Sequence, residues 1–305
     1  MTTDPHQTGL EAVGVLAPQP ASRLAHSGAI FARFSRRQPI GMASAVILLV
    51  VALAAIFADL IAPYSPTRND VGPALVGPNA EHLFGTDQFG RDVFSRVIHG
   101  ARVSLYVGLG ATLIGAAIAT VLGATSGYLG GLFDYVLQRF VDAAQAVPPL
   151  VLLIGLLVVL GPSVTNVIVA LSVRQGLSLS RVVRGAVIGV RASPYIEAAQ
   201  AIGASNVRTI ALHVLPNILP TVIVLISTSI GGIIVAEASL SFLGYGVPPP
   251  TPSWGGMMSA EGRTYMIVAS WILIFPTVAL SLVVFAMNML GDALRDELDP
   301  RLRGG

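Results

Sequence analysis

The chain has 305 residues, of which 53% are hydrophobic and only 11% are charged. A single water-soluble domain of this length could not bury so much apolar surface, so the composition indicates a protein of the lipid bilayer. The net charge is +2, every basic residue is arginine and cysteine is absent. This pattern argues against a nucleic-acid surface and excludes disulfides, thiol nucleophiles and zinc sites built from cysteine.

The amino-terminal residues 1–38 are polar and rich in proline, and we expect a mobile cytoplasmic tail. Arg33, Arg36 and Arg37 then precede an uncharged apolar run, which predicts a first transmembrane helix at residues 39–62. Basic residues before the first span place the amino terminus inside. The run is too long for a signal-peptide core, so we expect it to remain as an anchor.

Residues 63–102 contain four prolines followed by a charged stretch, which predicts an extracytoplasmic loop with an interfacial helix. The apolar run after it carries small residues at four-residue spacing, and such residues lie on one helix face. These are Ala111, Gly115, Ala119, Gly123 and Gly127. We therefore expect another helix to pack closely against this ridge.

The rest of a five-helix core is predicted within residues 103–290. A short polar loop is expected from Gly130 to Asp142, and the following apolar stretch is divided into two spans by Gly161 and Pro162. A fifth span is expected from about Pro216, and a sixth from about Met266. Between them lies an outer loop at 244–264, and residues 291–305 form a second cytoplasmic tail.

The prediction is thus an all-α membrane protein with six transmembrane helices and both termini in the cytoplasm. The distribution of arginine supports this orientation, since twelve arginines fall in inside segments and five in outside segments. Arg174 alone is left inside a span. An arginine in that place can pair with an anionic group of a cargo or of a partner subunit, and it can equally extend to the interface or bond backbone carbonyls.

The inside loop at 193–216 has signals for two short helices. Ser193 and Pro194 are typical of a helix start, and Glu197 falls in the positive first turn. Gly203 should end this helix, and Ser205 offers the cap for a second one. A helix, glycine turn and helix would make a rigid element that could seat in a groove of a cytoplasmic partner. An ordinary connecting loop with two interfacial helices would have the same pattern.

The same loop resembles the EAA loop of ABC-importer permeases. The residues that carry the likeness are Glu197-Ala198-Ala199, Gly203 and Leu215-Pro216 at the family's spacing. His213 departs from the usual isoleucine, but a histidine before Val-Leu-Pro-Asn is similar to the peptide-permease branch. Further segments resemble the C-type permease of dipeptide and oligopeptide importers, namely Phe84-Gly85-Thr86-Asp87, Ser241-Phe242-Leu243-Gly244, Pro252-Ser253-Trp254-Gly255 and Asp299-Pro300-Arg301.

This resemblance covers about residues 40–303 and implies a type I ABC-importer permease fold in a bacterial inner membrane. It implies that Glu197, Ala198, Ala199, Gly203 and Arg208 couple the chain to ATPase subunits. The expected partners are a second homologous permease, two ATP-binding-cassette ATPases, which would bind ATP and Mg, an extracytoplasmic substrate-binding protein and membrane lipid. Peptides are the expected cargo, with nickel or another small solute as the alternative.

Four further residues are candidates for contact with cargo or a partner. Glu237 and Arg174 are ionisable residues within apolar segments and could line the translocation path. Glu237 could instead be a structural carboxylate bonded to a neighbouring helix. Trp254 and Pro252 lie in the proline-rich outer loop, which could contact the binding protein or simply form a stiff turn.

Two other classes of function fit the sequence less well. A secondary transporter should have broken helices in an internal repeat and paired intramembrane charges, which the sequence does not convincingly contain. An intramembrane enzyme would need a nucleophile motif such as GxSxG and a base within a span, and neither is present. No GxxxxGK[ST] phosphate loop occurs, so the chain cannot itself be the ATPase. The histidines have no metal-site spacing, so no metal is expected.

Overall fold

The computed structural model of the chain describes residues 38–298. The predicted tail at 1–38 lies outside the described residues except for Gln38, whereas the predicted tail at 291–305 is helical as far as Leu298. Within the described part there is no β-strand, only an isolated bridge between Thr86 and Asp92. The helices are α1 (Pro39–Ile56), α2 (Ala58–Ile61), α3 (Val93–Leu129), α4 (Gly131–Ala146), α5 (Pro149–Leu160), α6 (Val164–Arg191), α7 (Pro194–Ala201), α8 (Asn206–Thr209), α9 (Leu215–Phe242), α10 (Trp254–Met257), α11 (Ala260–Thr264) and α12 (Trp271–Leu298). A π-helical turn, Ile210–Val214, joins α8 to α9.

The all-α membrane architecture is confirmed, whereas the count of six spans is not reached by length and apolarity alone. Four helical stretches are long and apolar enough to cross a bilayer, namely α1, α3, the stretch that ends in α9, and α12. Helices α4 and α5 form a fifth candidate, but they are bent by 95° at the break before Pro149. Helix α6 has the length of a span, and four arginines lower its apolarity.

Three expectations about element boundaries were wrong. No separate interfacial helix precedes the second span, because Asp92 caps α3 and the helix then runs without a proline to Leu129. The expected polar loop after Gly130 is instead helix α4, whose polar and apolar residues alternate at helical spacing. The sixth span begins at Trp271 rather than Met266.

The expected ridge of small residues on α3 is confirmed, and it packs against α6. A Cβ atom added to Gly123 would lie 2.6 Å from the carbonyl oxygen of Ser180, and one on Gly127 would lie 2.9 Å from that of Arg184. Such distances leave no room for a side chain. The absence of side chains therefore lets the two backbones touch, which is the usual way in which helices associate in lipid.

Helix α6 stays helical through three arginines that were expected to lie in a loop. Arg184 donates two hydrogen bonds to Asp134 of α4, at 2.7 and 2.6 Å, and Arg181 pairs with Asp142 of the same helix. A bidentate guanidinium–carboxylate pair is a strong, directional contact. The arginines thus attach α4 to α6 instead of ending the span.

A compact polar cap covers the opposite end of the bundle. Asp92 accepts hydrogen bonds from the Ser95 amide and hydroxyl and contacts His82 at 3.0 Å, while Asp87 accepts one from the guanidinium of Arg91 at 2.6 Å. Both carboxylates are buried. The cap fixes the start of α3, and with it the long helix against which the others pack.

Candidate functional site

The helical loop, residues 193–216, has the two helices that the sequence predicts. Pro194 occupies the first position of α7, and Gly203 follows the helix with a φ of +82°. Such a φ lies in the left-handed region, which glycine adopts without strain. Ser205 then caps α8 by accepting a hydrogen bond from the Arg208 amide.

One side of the helical loop is anchored to the bundle. Ile196, Ala199 and Val214 are buried, and Ile196 and Val214 pack in a cluster with residues of α3 and α6. Gln200 also donates a hydrogen bond of 2.9 Å to the hydroxyl of Tyr128, near the end of α3. The loop is therefore fixed to α3 by both apolar and polar contacts, so a force on it reaches the spans.

The other side of the helical loop is exposed. Glu197, Ala198, Gly203 and Arg208 all lie on this side, so four of the five residues expected to couple the chain to a partner are accessible. Ala199 is the exception, since only 6% of its surface is exposed. A buried Ala199 packs α7 onto the bundle and does not offer its side chain to a partner.

Two apolar residues that sequence reasoning missed stand at the tip of the helical loop. Ile202 is 86% exposed and Val207 is 78% exposed, one on each side of Gly203. The available signal was an isoleucine and a valine flanking a glycine turn in a loop otherwise made of small and polar residues. Large apolar side chains in such a place form a patch suited to docking on another protein.

Arg174 lies on α6 and lines an open cavity of about 350 Å³ between α5, α6 and α9. Gln175 and Ser178 line the same cavity, together with Ser229 and Gly232 of α9. Arg174 also lines a second hollow of about 100 Å³ beside the break between α4 and α5. Arg174 therefore borders two hollows, and its role in a translocation path stays a prediction.

Glu237 is enclosed within the chain and exposes none of its surface. It accepts hydrogen bonds from Ser241 at 2.7 Å and, at 3.4 Å, from Ser104 of α3. Ser241 in turn accepts one from the Val247 amide and contacts Ser253. Glu237 therefore fastens the outer loop to the bundle, which is the arrangement expected of a structural carboxylate rather than of a residue facing a path.

Trp254 and Pro252 are both buried, so neither side chain offers a surface to a binding protein. The indole nitrogen of Trp254 donates a hydrogen bond of 3.0 Å to the carbonyl of Val97 in α3, and its ring packs against Gly100. The expected contact with a binding protein is therefore corrected to a packing role. A large aromatic ring contributes more to stability inside the bundle than on its surface.

The exposed part of the outer loop lies elsewhere. Leu243, Tyr245 and the segment 249–251 are exposed, and the prolines of that segment restrict the backbone. Among residues 38–298, no three His, Asp or Glu side chains come together as a metal-binding group.

A bundle of apolar helices with an anchored helical loop and an open cavity beside Arg174 is the arrangement expected of a membrane transport subunit. The family described as the binding-protein-dependent transport system inner membrane component matches residues 119–304, and the N-terminal TM domain of oligopeptide transport permease C matches residues 29–78. The chain belongs to this family of ABC-importer permeases and is a multi-pass protein of the inner membrane.

Curated relatives align along most of their length. A peptide transport system permease protein of Brucella suis is 42% identical over 258 residues, which cover 85% of this chain and 86% of the relative. The glutathione transport system permease protein GsiD of Escherichia coli is 40% identical and covers 98% and 97% of the two chains. Among solved structures, a chain of the inward-facing MetNI methionine ABC transporter matches with a TM-score of 0.49 at 19% identity. The match covers 64% of this chain and 94% of the MetNI chain.

Proposed function

We propose that this chain is one of two permease subunits of an ATP-driven importer of short peptides. The cargo is supported by the relatives, which are named for peptide transport and for transport of glutathione, itself a tripeptide. The sequence left nickel or another small solute as the alternative, and these two relatives are named for peptide and glutathione transport instead. The second permease subunit forms the other half of the path.

The proposed assembly contains two ATPase subunits, which bind ATP and Mg, and an extracytoplasmic binding protein. The family description supports the binding protein, because transport in this family depends on one. The exposed residues of the outer loop, Leu243, Tyr245 and 249–251, are the proposed contact for it in place of Trp254 and Pro252. Both termini and the helical loop face the cytoplasm in this arrangement, in agreement with the arginine bias.

The helical loop is the proposed coupling element, and its two-sided character carries this proposal. Its inner side is fixed to α3 through Ile196 and the bond from Gln200 to Tyr128. The side that faces away from the bundle exposes Ile202, Val207 and Glu197. Such a loop is anchored to the bundle on one side and can dock on an ATPase subunit through the other. It can therefore pass the closing motion of two ATPase subunits to the transmembrane helices, which alternate between two arrangements.

The close contact between α3 and α6 extends this coupling into the bundle. Glycines of α3 touch the backbone of α6, so the two helices have little freedom to slide separately. Movement of the helical loop would then shift α6, which carries Arg174. In this way ATP binding would change access to the cavity without any chemistry in this chain.

Replacement of Gly203 by leucine tests the coupling element. Gly203 and Gly161 offer a matched pair, because their φ angles are +82° and +84° and a Cβ on either would meet no atom within 4 Å. Either substitution imposes a similar local strain of roughly 1–2 kcal/mol. Only Gly203 lies in the helical loop, whereas Gly161 lies in the turn between α5 and α6.

The assay is ATP-dependent peptide uptake and ATP hydrolysis by the complete importer in proteoliposomes. We expect Gly203→Leu to insert and assemble normally but to lower uptake by about tenfold or more, since coupling between sites is typically worth 5–150-fold. Gly161→Leu should retain most of its uptake. Equal uptake by the two variants would refute the assignment of the coupling element.

A second experiment separates an ATP-driven importer from a transporter driven by an ion gradient. Proteoliposomes containing the permease subunits with a proton or sodium gradient, but no ATPase subunits, should show no peptide uptake. Uptake under these conditions would favour the secondary transporter.

A further inference from the structure

The cavity beside Arg174 has the size and position of a ligand site. Its volume of about 350 Å³ falls in the range of roughly 300–1,000 Å³ that is usual for small-molecule pockets. Three separate helices line it, so a solute inside would touch α5, α6 and α9 together. Arg174, Gln175 and Ser178 lie on one turn of α6, and Ser229 of α9 adds a fourth polar residue to the lining.

Arg174 supplies a positive charge that nothing in the described part of the chain neutralises. No hydrogen bond or ion pair of its guanidinium occurs among residues 38–298, and no carboxylate lines either of the two hollows that it borders. A cation in a mostly apolar setting is costly unless it meets an anion or water. An anionic ligand in the open cavity would neutralise this charge.

Gln175 is the second observation that points to a guest. The residue is only 4% exposed, it lines the same cavity, and neither its amide nitrogen nor its amide oxygen has a hydrogen-bond partner within the described residues. An unpaired buried amide lowers stability, so such groups are rarely kept for stability alone. Both amide atoms are buried, so a ligand meets them only when the Gln175 side chain turns toward the cavity. An amide with one donor and one acceptor group then matches a peptide bond, which offers the same pair.

We infer that Arg174 and Gln175 form a cargo site within this subunit, in which Arg174 binds the terminal carboxylate of a short peptide and Gln175 bonds the peptide group next to it. The guanidinium is suited to this task because it holds a carboxylate through two parallel hydrogen bonds. Ser178, one turn further along α6, offers a hydroxyl at the same cavity. This inference rests on the proposed function and assigns a cargo class to the path.

The test compares a dipeptide or tripeptide with its carboxamide, which lacks the terminal negative charge. Uptake of both is measured with the complete importer, once with the natural chain and once with Arg174→Gln. The binding protein is the same in both importers, so any change in the ratio of acid to amide uptake arises in the permease. Arg139→Gln, which removes an exposed arginine of α4, is the control for charge.

We expect Arg174→Gln to lower the ratio of acid to amide uptake by about tenfold or more, since hydrogen bonds to charged groups are worth about 1.5–3 kcal/mol. The control should leave the ratio unchanged. If Arg174→Gln lowers uptake of the acid and of the amide equally, and the second permease co-purifies less well with the variant, Arg174 pairs with the partner subunit and the inference is overturned. An unchanged ratio would overturn it as well.

Gln175→Met provides an independent test, because methionine has nearly the same length and shape but no polar group. If Gln175 serves cargo, the variant should be as stable as the natural protein or more stable, since it removes an unpaired amide, yet its peptide uptake should fall several-fold. Unchanged uptake would refute a cargo role for Gln175. If the natural complex imports no peptide at all, the proposed function fails together with this inference; if it imports peptides and both variants behave normally, only the inference fails.

Discussion

The contact between α3 and α6 makes a quantitative prediction about glycine-to-alanine substitutions along α3. A Cβ atom on Gly123 would lie 2.6 Å from the Ser180 carbonyl oxygen and 2.8 Å from the Arg184 amide nitrogen. Ordinary contact begins at 3.4 Å, so the helices must part by roughly 0.8 Å to admit one methyl group. Both obstructing atoms belong to the backbone, so no side-chain rotation can relieve the clash.

The same substitution elsewhere on α3 has graded consequences. An added Cβ would meet its nearest atom at 2.9 Å on Gly127, at 3.1 Å on Gly115 and at 3.5 Å on Gly110. Overpacking of a tight contact costs about 1–3 kcal/mol, whereas alanine is favoured over glycine in a helix by up to about 1 kcal/mol. We therefore expect Gly123→Ala to be the most destabilising, Gly127→Ala and Gly115→Ala to be intermediate, and Gly110→Ala to be neutral or stabilising.

Thermal stability of the purified complex in detergent or nanodiscs measures this order. Gly110→Ala is the matched control, because it makes the same change on the same helix at a position where a methyl group fits beside Ile168. If α3 and α6 move together, Gly123→Ala should lower peptide uptake as well as stability, because a displaced α6 moves the cavity that it lines. A Gly123→Ala variant as stable and as active as Gly110→Ala would refute the role of backbone contact.

The remaining predictions concern the polar cap, Trp254 and the helical loop. Asp92→Ala should destabilise the chain by about 1–3 kcal/mol in thermal or chemical unfolding, because it leaves the buried Ser95 amide and hydroxyl without an acceptor. Trp254→Phe should lower stability by about 1 kcal/mol or more, because the hydrogen bond to Val97 is lost, and affinity for the binding protein should stay unchanged. Unchanged stability with weaker binding of that protein would instead indicate that Trp254 contacts it directly. Ile202→Asp should fold normally yet retain about tenfold less ATPase subunit on co-purification, and full retention would contradict docking through the tip.

Local signals made several features predictable from the sequence. Hydropathy located the apolar spans, since about 20 apolar residues are needed to cross a bilayer. Four-residue spacing identified the small-residue face of α3, and the pair Ser193-Pro194 marked the start of α7. Each of these signals lies within a few residues along the chain, where helix geometry alone relates one position to the next.

Tertiary structure decided the features that depend on distant residues. Arg184 of α6 bonds Asp134, 50 positions away, and the buried Trp254 bonds the carbonyl of Val97, 157 positions away. Hydropathy cannot show that Glu237 is hydrogen-bonded by serines. Nor can it show that the Gln175 amide, beside a cavity, has no hydrogen-bond partner among residues 38–298. The sequence determined which segments are apolar enough to cross a membrane, and it marked the start of α7. Only packing decided which polar groups find partners inside the described part of the chain and which, such as the Gln175 amide, are buried there without one.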